Sequence, residues 1–564
     1  MFYATEKKTS FAPHIVSRNR VREKTTELLG VDLRSLAAFR IGAAGVLLLD
    51  LWYRGQEITA YFTDAGVLPR SARIDILEAG DRFGFRHTWS LHLLSGEYWA
   101  QLGLMLLAAL FAVWLLIGYR TRLAAVASWI LLMSLDGRNP VILNSGDVLL
   151  RSMLLWSLFL PLGARFSFDA SRIDEKHQLP TRVVSMATVA LLLQLCLMYW
   201  FSTVFKMQAL DDMPSPWMGD YSAVYYALNC DAFVTRFGLW LRQFPTVMQF
   251  LTGLSLWLEL VGPVLAFSPW FTKWFRGGAV VAFIAFHVGL GLCLTIGLFP
   301  VICIVSWLVF LPSEFWEVTT RRAGHVGPLI KYAAKQTCER YGASRRFFTG
   351  LATRAKPVAS AIPLRASTSG LTSTARRLFA KPETPSFRRR WYIETCLAVL
   401  LVYVVIWNVR ETDFKYWEPR LMSRDWNAPA RILGLDQNWS MFAPLPRTED
   451  GWLVMEGTLH DGSTVNLWEF DEPLPWSKPP LVSATYHTQR WRKYLDNLTT
   501  ESYAAHRMYF CEWLARRWNE ERAEGDKMRE IHRVELSHRI ELTPPPGQPI
   551  PDPETRVLWT WYFE

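Results

Sequence analysis

The sequence predicts an all-α multi-pass transmembrane bundle of about nine helices, followed by a small C-terminal α+β extramembranous domain. Apolar residues are concentrated: between residues 34 and 312, and again at 391–409, runs of Leu, Val, Ala, Phe and Trp approach the ~20 residues that a helix needs to cross ~30 Å of hydrocarbon. Charge is sorted to one side of these runs. Beyond the last run, hydrophobicity alternates with the period of two that marks half-buried strands. Many of the 27 Trp and 33 Phe residues lie at the ends of the apolar runs, where amphipathic rings favour the headgroup layer.

The spans read as 34–53, 99–118, 122–136, 148–163, 182–205, 246–268, 278–296, 298–312 and 391–409. They divide the chain into a basic cytoplasmic segment (1–33), a bundle (34–312), a basic cytoplasmic linker (313–390), a last span (391–409) and an exterior domain (410–564). The linker is rich in Ser, Thr, Ala, Arg and Pro, the composition of a flexible connection. The segments holding Lys7, Lys8, Arg18 and Arg20, the loops with Arg120, Arg122 and Arg165, the turn with Lys273 and Arg276, and the linker all fall inside, in agreement with the positive-inside rule. The net charge of +10 therefore follows membrane topology. Neither basic cluster interleaves aromatic residues as a base-stacking surface does, so the partner is the lipid bilayer and not nucleic acid. No short apolar region with a small-residue cleavage site precedes Leu36, so the first span is expected to remain. Of seven cysteines, Cys230 and Cys511 alone fall outside spans and linker, which allows at most one exterior disulfide, and no metal-ligand spacing appears.

In the exterior domain, Gly451–Phe470 reads as two strands joined at Asp461-Gly462, a tight-turn pair. Residues 499–523 read as an amphipathic helix and Ile531–Leu542 as a strand. Gln437–Pro444 is expected to fold back on the bundle, because Trp439, Met441 and Phe442 are too apolar to leave in water.

Ionisable groups within a span cost ~2.5–3.5 kcal/mol each on insertion scales, so each needs a reason to be there. Arg40 and Asp50 share one face of the first span, ~15 Å apart, and read either as pairs to neighbouring helices or as the lining of a polar cavity. Lys206 ends the fifth span. A lysine in an apolar pocket is destabilised in its charged form and can serve as a neutral base; the plain alternative is an anchor, its ammonium among the headgroups. His287 lies mid-span with Glu259 in the preceding span, placed for proton relay or ligand contact, or for a satisfied interior pair. The exterior loops bring Asp64, Asn144 and Asp147 to the mouths of the spans, where turn chemistry is the competing explanation for Asn144-Ser-Gly-Asp147.

Five ordered segments carry a family resemblance: Leu36-Ala-Ala-Phe-Arg40-Ile-Gly through Asp50 to Gly55, Asp64-Ala-Gly-Val-Leu-Pro-Arg70, Asn144-Ser-Gly-Asp147 with Phe159-Leu-Pro-Leu-Gly163, Ala223-Val-Tyr-Tyr-Ala-Leu228, and Gln437-Asn-Trp-Ser-Met-Phe-Ala-Pro444. Together they resemble the HTTM family, the membrane domain shared with vitamin K-dependent gamma-carboxylases. The resemblance implies that Lys206 matches the base of quinol oxygenation, and that His287 and Glu259 belong to the same site. It also implies a quinone or vitamin K-like molecule as ligand. Two departures stand against protein carboxylation: Gly163-Ala164-Arg165 occupies the place of the family's Asn-His-Tyr, and no large propeptide-binding region is found.

Two functions follow as expectations. In one, the chain is a carboxylase-like enzyme or oxidoreductase that admits a lipid-soluble molecule and uses Lys206 and His287 catalytically, with Arg40, Asp50, Asp64, Asn144, Asp147 and Glu259 binding substrate. In the other it binds or moves a lipid, or presents the exterior domain to a protein partner, without catalysis. The expected setting is a bacterial inner membrane, with the N-terminus cytoplasmic and the C-terminus exterior.

Overall fold

The computed structural model describes residues 18–78, 88–173, 178–208, 215–321, 387, 389–412, 422–423, 426–523 and 525–563. The bundle helices are labelled here α1 (Leu33–Gln56), α2 (Tyr98–Ile117), α3 (Thr121–Arg138), α4 (Ser145–Ser157), α5 (Met186–Lys206), α6 (Pro245–Ala266), α7 (Thr272–Cys293), α8 (Phe299–Trp307) and α9 (Trp391–Glu411). Six of them, α1, α2, α5, α6, α7 and α9, are long and apolar enough to cross a membrane. A seventh span results if Phe299–Phe310 and Ser313–Arg321, bent by 90° at their junction, count as one. The expected spans at 122–136 and 148–163 fall on helices that do not meet these criteria. α3 carries Arg122, Asp136 and Arg138, and α4 is only 13 residues long. Most of the 313–390 linker lies outside the described residues.

Local chemistry explains where the helices start. Asp32 caps α1 by accepting from the Arg34 N–H, Asn144 and Asp147 form a reciprocal capping box on α4, and Ser185 and Thr188 do the same on α5. These caps satisfy N–H groups that the helix cannot, which matters more where water is excluded.

Contacts gather the helix ends at two opposite faces. At one, Val31–Asp32 pairs with Arg182–Val183, Ser35 donates to the Leu311 carbonyl, Arg276 donates to that of Leu28, and Glu394 accepts from the Met186 N–H. The opposite face carries the C-terminal ends of α1, α3, α5, α7 and α9, and the C-terminal domain sits on it. There Asp450 accepts from the Asp231 and Ala232 N–H groups, and Ser483 donates to the Val234 carbonyl.

The domain is a four-stranded antiparallel sheet of β1 (Glu449–Leu459), β2 (Thr464–Asn466), β3 (Ile531–Leu542) and β4 (Glu554–Tyr562), in the order β2-β1-β3-β4. Its first hairpin turns at Asp461-Gly462, where Gly462 takes φ +84°, open to glycine at no steric cost. Against the sheet pack α10 (Gln489–Leu498) and α11 (Ala505–Trp518). The expected 499–523 helix thus begins six residues later, and its last turn, Asn519–Ala523, is π-helical. Trp439 is fully buried in the bundle core, with Met441 and Phe442 half-buried beside it, so Gln437–Pro444 does fold back. Cys230 and Cys511 are buried free thiols.

Candidate functional site

A cavity of about 1670 Å³ opens where α5, α6 and α7 meet the C-terminal domain, well above the ~300–1,000 Å³ of ordinary ligand pockets. The lower wall is apolar, from Leu254 and Leu258 on α6 to Ala285, Phe286 and Leu290 on α7. Helical spacing aligns Tyr199, Ser202 and Lys206 on one face of α5, and all three line it. No α1 residue reaches the wall, which is built mainly by α5, α6 and α7, with α4, α8 and α9 contributing at its edges.

Lys206 is 4% exposed and its ammonium donates to Glu259 Oε2 over 2.5 Å. It also sits 4.4 Å from the Trp217 ring centroid, a cation–π contact. This interior position excludes the headgroup anchor, because a snorkelling lysine turns outward. Trp217 is fixed by donating to the Phe442 carbonyl, so the 215–245 loop and the folded-back segment together roof the lysine. Asp211 and Asp212, the other acids near Lys206 in sequence, lie outside the described residues.

His287 does not touch Glu259; its partner is Tyr199. The Tyr199 hydroxyl lies 2.7 Å from His287 Nε2 and accepts from Trp307 Nε1 at 3.0 Å. Indole can only donate, but the hydroxyl oxygen has a second lone pair, so the contact with Nε2 is compatible with either imidazole tautomer. Nδ1 is buried and has no hydrogen-bond partner among the described residues, and the same holds for Ser202 Oγ. Two buried polar atoms without partners beside a large cavity fit a ligand that brings polar atoms of its own.

The remaining candidates sort differently. Asn144 lines the cavity and donates to Gln489, besides capping α4. Asp50 and Asp147 do not line the cavity and belong to a buried ion cluster. Arg54 binds Asp50 (2.8 Å), Asp136 (2.9 Å) and Asp147 (3.0 Å), while Arg490, from α10 of the C-terminal domain, binds Asp50 (2.5 Å) and Asp147 (2.8 Å). Arg40 sits near the opposite end of the bundle, donating to the Phe166 carbonyl, and Asp64 holds Arg70 in a half-exposed loop. Helix geometry brings Arg54, one turn after Asp50, to its carboxylate, so the three aspartates are held in ion pairs, while Arg40, which does not line the cavity, keeps Nε and Nη1 buried without hydrogen-bond partners among the described residues.

Tyr199, Ser202 and Trp217 complete the site although sequence reading passed over them. The first two were signalled by their spacing of seven and four residues before Lys206; nothing local marks Trp217.

The six long apolar helices fit a multi-pass membrane protein. Comparison of the chain with protein-family models, curated proteins and solved structures finds no match.

Proposed function

We propose that the chain is an HTTM-like membrane enzyme that takes a quinone-like, lipid-soluble molecule into the cavity and uses Lys206 as its base. The observation that carries this reading is a buried lysine in a cavity wall, paired with Glu259, with two unpartnered buried polar atoms, His287 Nδ1 and Ser202 Oγ, on residues of the same wall. Passage of a proton from Lys206 to Glu259 across their short contact leaves an amine. In the quinol form of such a molecule that amine takes the proton of a ring hydroxyl, while Ser202 Oγ and His287, in its Nδ1–H tautomer, hold the oxyanion that develops. Each of these groups is held in place by its helix.

In this reading all nine bundle helices traverse the cell membrane, the shorter three shielded by their neighbours. The basic N-terminus lies in the cytoplasm and the C-terminal domain outside. The gathering of helix ends at two faces supports that count. A reporter fused after Glu564 is expected to be active only on the exterior; activity confined to the cytoplasm contradicts the topology.

Equilibrium binding of a short-tailed naphthoquinone to the detergent-purified protein tests the site itself. His287→Leu removes the Nδ1 donor and is expected to weaken binding about tenfold, the worth of one hydrogen bond of about 1.4 kcal/mol. Unchanged affinity contradicts the assigned role.

A further inference from the structure

The cavity has a second chemically distinct end, where the C-terminal domain closes it. Its whole wall carries six basic side chains and four carboxylates. Every carboxylate already has a basic partner: Glu259 has Lys206, Glu411 has Arg410, Asp436 has Arg431, and Asp496 has Arg447. Two cations remain, Arg492 and Lys493, adjacent on α10.

Arg492 is the less satisfied of the two. It is 4% exposed, its Nε and Nη1 are buried without hydrogen-bond partners among the described residues, and its only carboxylate contact is 3.9 Å, to the Asp496 that Arg447 already holds. The guanidinium lies 4.0 Å from the Phe233 ring centroid, which orients it but accepts no N–H in plane. Lys493 has one hydrogen bond, to Asn497. Burial works against the charge on both. A buried cation in that condition calls for an anion with several oxygens, which a guanidinium meets through paired N–H donors.

The other end of the cavity shows what such an anion is attached to. Leu254 on α6 and Leu292 on α7 line the cavity and are also 51% and 54% exposed, on helices apolar enough to cross a membrane. The apolar part therefore communicates with the surface that meets lipid. The basic end lies level with the last turns of α5 and α9, where Arg410 stacks on Trp407 at 3.9 Å, the depth of the headgroups.

We infer that Arg492 and Lys493 bind the anionic headgroup of a membrane lipid whose acyl chain enters the cavity between α6 and α7. This goes beyond the assignment of Lys206 as base and does not depend on it; it rests on the membrane placement of the helices.

The test is thermal unfolding of the full-length protein in neutral detergent, titrated with phosphatidylglycerol, with phosphatidylcholine of the same chains, or with inorganic phosphate. Phosphatidylglycerol is expected to raise the unfolding midpoint at a concentration at least tenfold below phosphatidylcholine, and inorganic phosphate to leave it unchanged. Arg492→Gln and Lys493→Gln are each expected to remove that tenfold preference. Where Arg492→Gln does not fold, Lys493→Gln, at a less buried position, decides. Equal response to the two lipids, or a preference that survives in Lys493→Gln, overturns the inference. Stabilisation by inorganic phosphate equal to that by phosphatidylglycerol overturns the lipid assignment and leaves a free-anion site. Quinone binding is measured separately, so failure here and failure of the Lys206 reading are distinguishable.

Discussion

Lys206→Met is expected to lower turnover of the membrane-soluble substrate by two to four orders of magnitude, the range for loss of a positioned general base (~10²–10⁴). Methionine keeps the apolar stem that packs in the cavity wall and removes the ammonium. It also leaves Glu259 buried without its cation, so Lys206→Met alone is expected to lose stability, and Lys206→Met with Glu259→Gln to recover most of it. Lys206→Arg separates the roles. Arginine keeps the charge and the ion pair, so stability is retained, but a guanidinium does not give up its proton and turnover stays low. Turnover surviving in Lys206→Arg shows that the residue is a charge and not a base. Rates and unfolding midpoints on the four proteins decide between these outcomes.

Arg490→Met is expected to be the most destabilising single change in the C-terminal domain. Three buried carboxylates, Asp50, Asp136 and Asp147, face two guanidiniums, and Arg490 is the one supplied from outside the bundle. Its removal leaves Asp50 and Asp147 dependent on Arg54 alone. Breaking one partner of a buried ion cluster costs about 3–5 kcal/mol, and here the loss also removes the ion pairs between α10 and the bundle, leaving its contacts through Gln489, Tyr494 and Asn497. The expected signature is a lower unfolding midpoint together with protease sensitivity between α9 and β1. Asp50→Asn in the same chain should restore part of the loss, because one fewer carboxylate then competes for Arg54. If the double variant is no more stable than Arg490→Met, the cluster is not coupled as described.

The bundle was legible in the sequence because membrane spans announce themselves locally, by run length and flanking charge. The departures at 122–136 and 148–163 have a local cause as well. Asp136, Arg138 and Arg151 sit in or beside these apolar runs, where Asp136 and Arg151 are held in buried ion pairs and Arg138 donates to the Thr63 carbonyl. Lys206, Glu259 and His287 stood out because an ionisable group in an apolar run demands a reason, and the pairing of Lys206 with Glu259 gives one. The pairing of His287 with Tyr199 could not be read, because it joins helices 88 residues apart in the chain. The ion cluster was less legible still, assembled from residues 50, 54, 136, 147 and 490. Sequence shows that Arg40, Asp50, Asp64 and Asp147 are charged groups near membrane ends; only three-dimensional contact shows that the three aspartates are already paired and that Arg40 lies off the cavity wall. α10 was missed although Trp491, Tyr494, Leu495 and Leu498 recur at helical spacing, because its many charges mask the apolar stripe.

The central claim, that the cavity beneath the C-terminal domain receives a lipid-soluble carbonyl compound at Lys206, His287 and Ser202, is tested most directly by mass spectrometry of the protein purified in mild detergent from quinone-containing membranes. A quinone retained at near one molecule per chain, and lost from His287→Leu, is the predicted result. A wild-type protein that carries no quinone, or carries it equally in His287→Leu, contradicts the account.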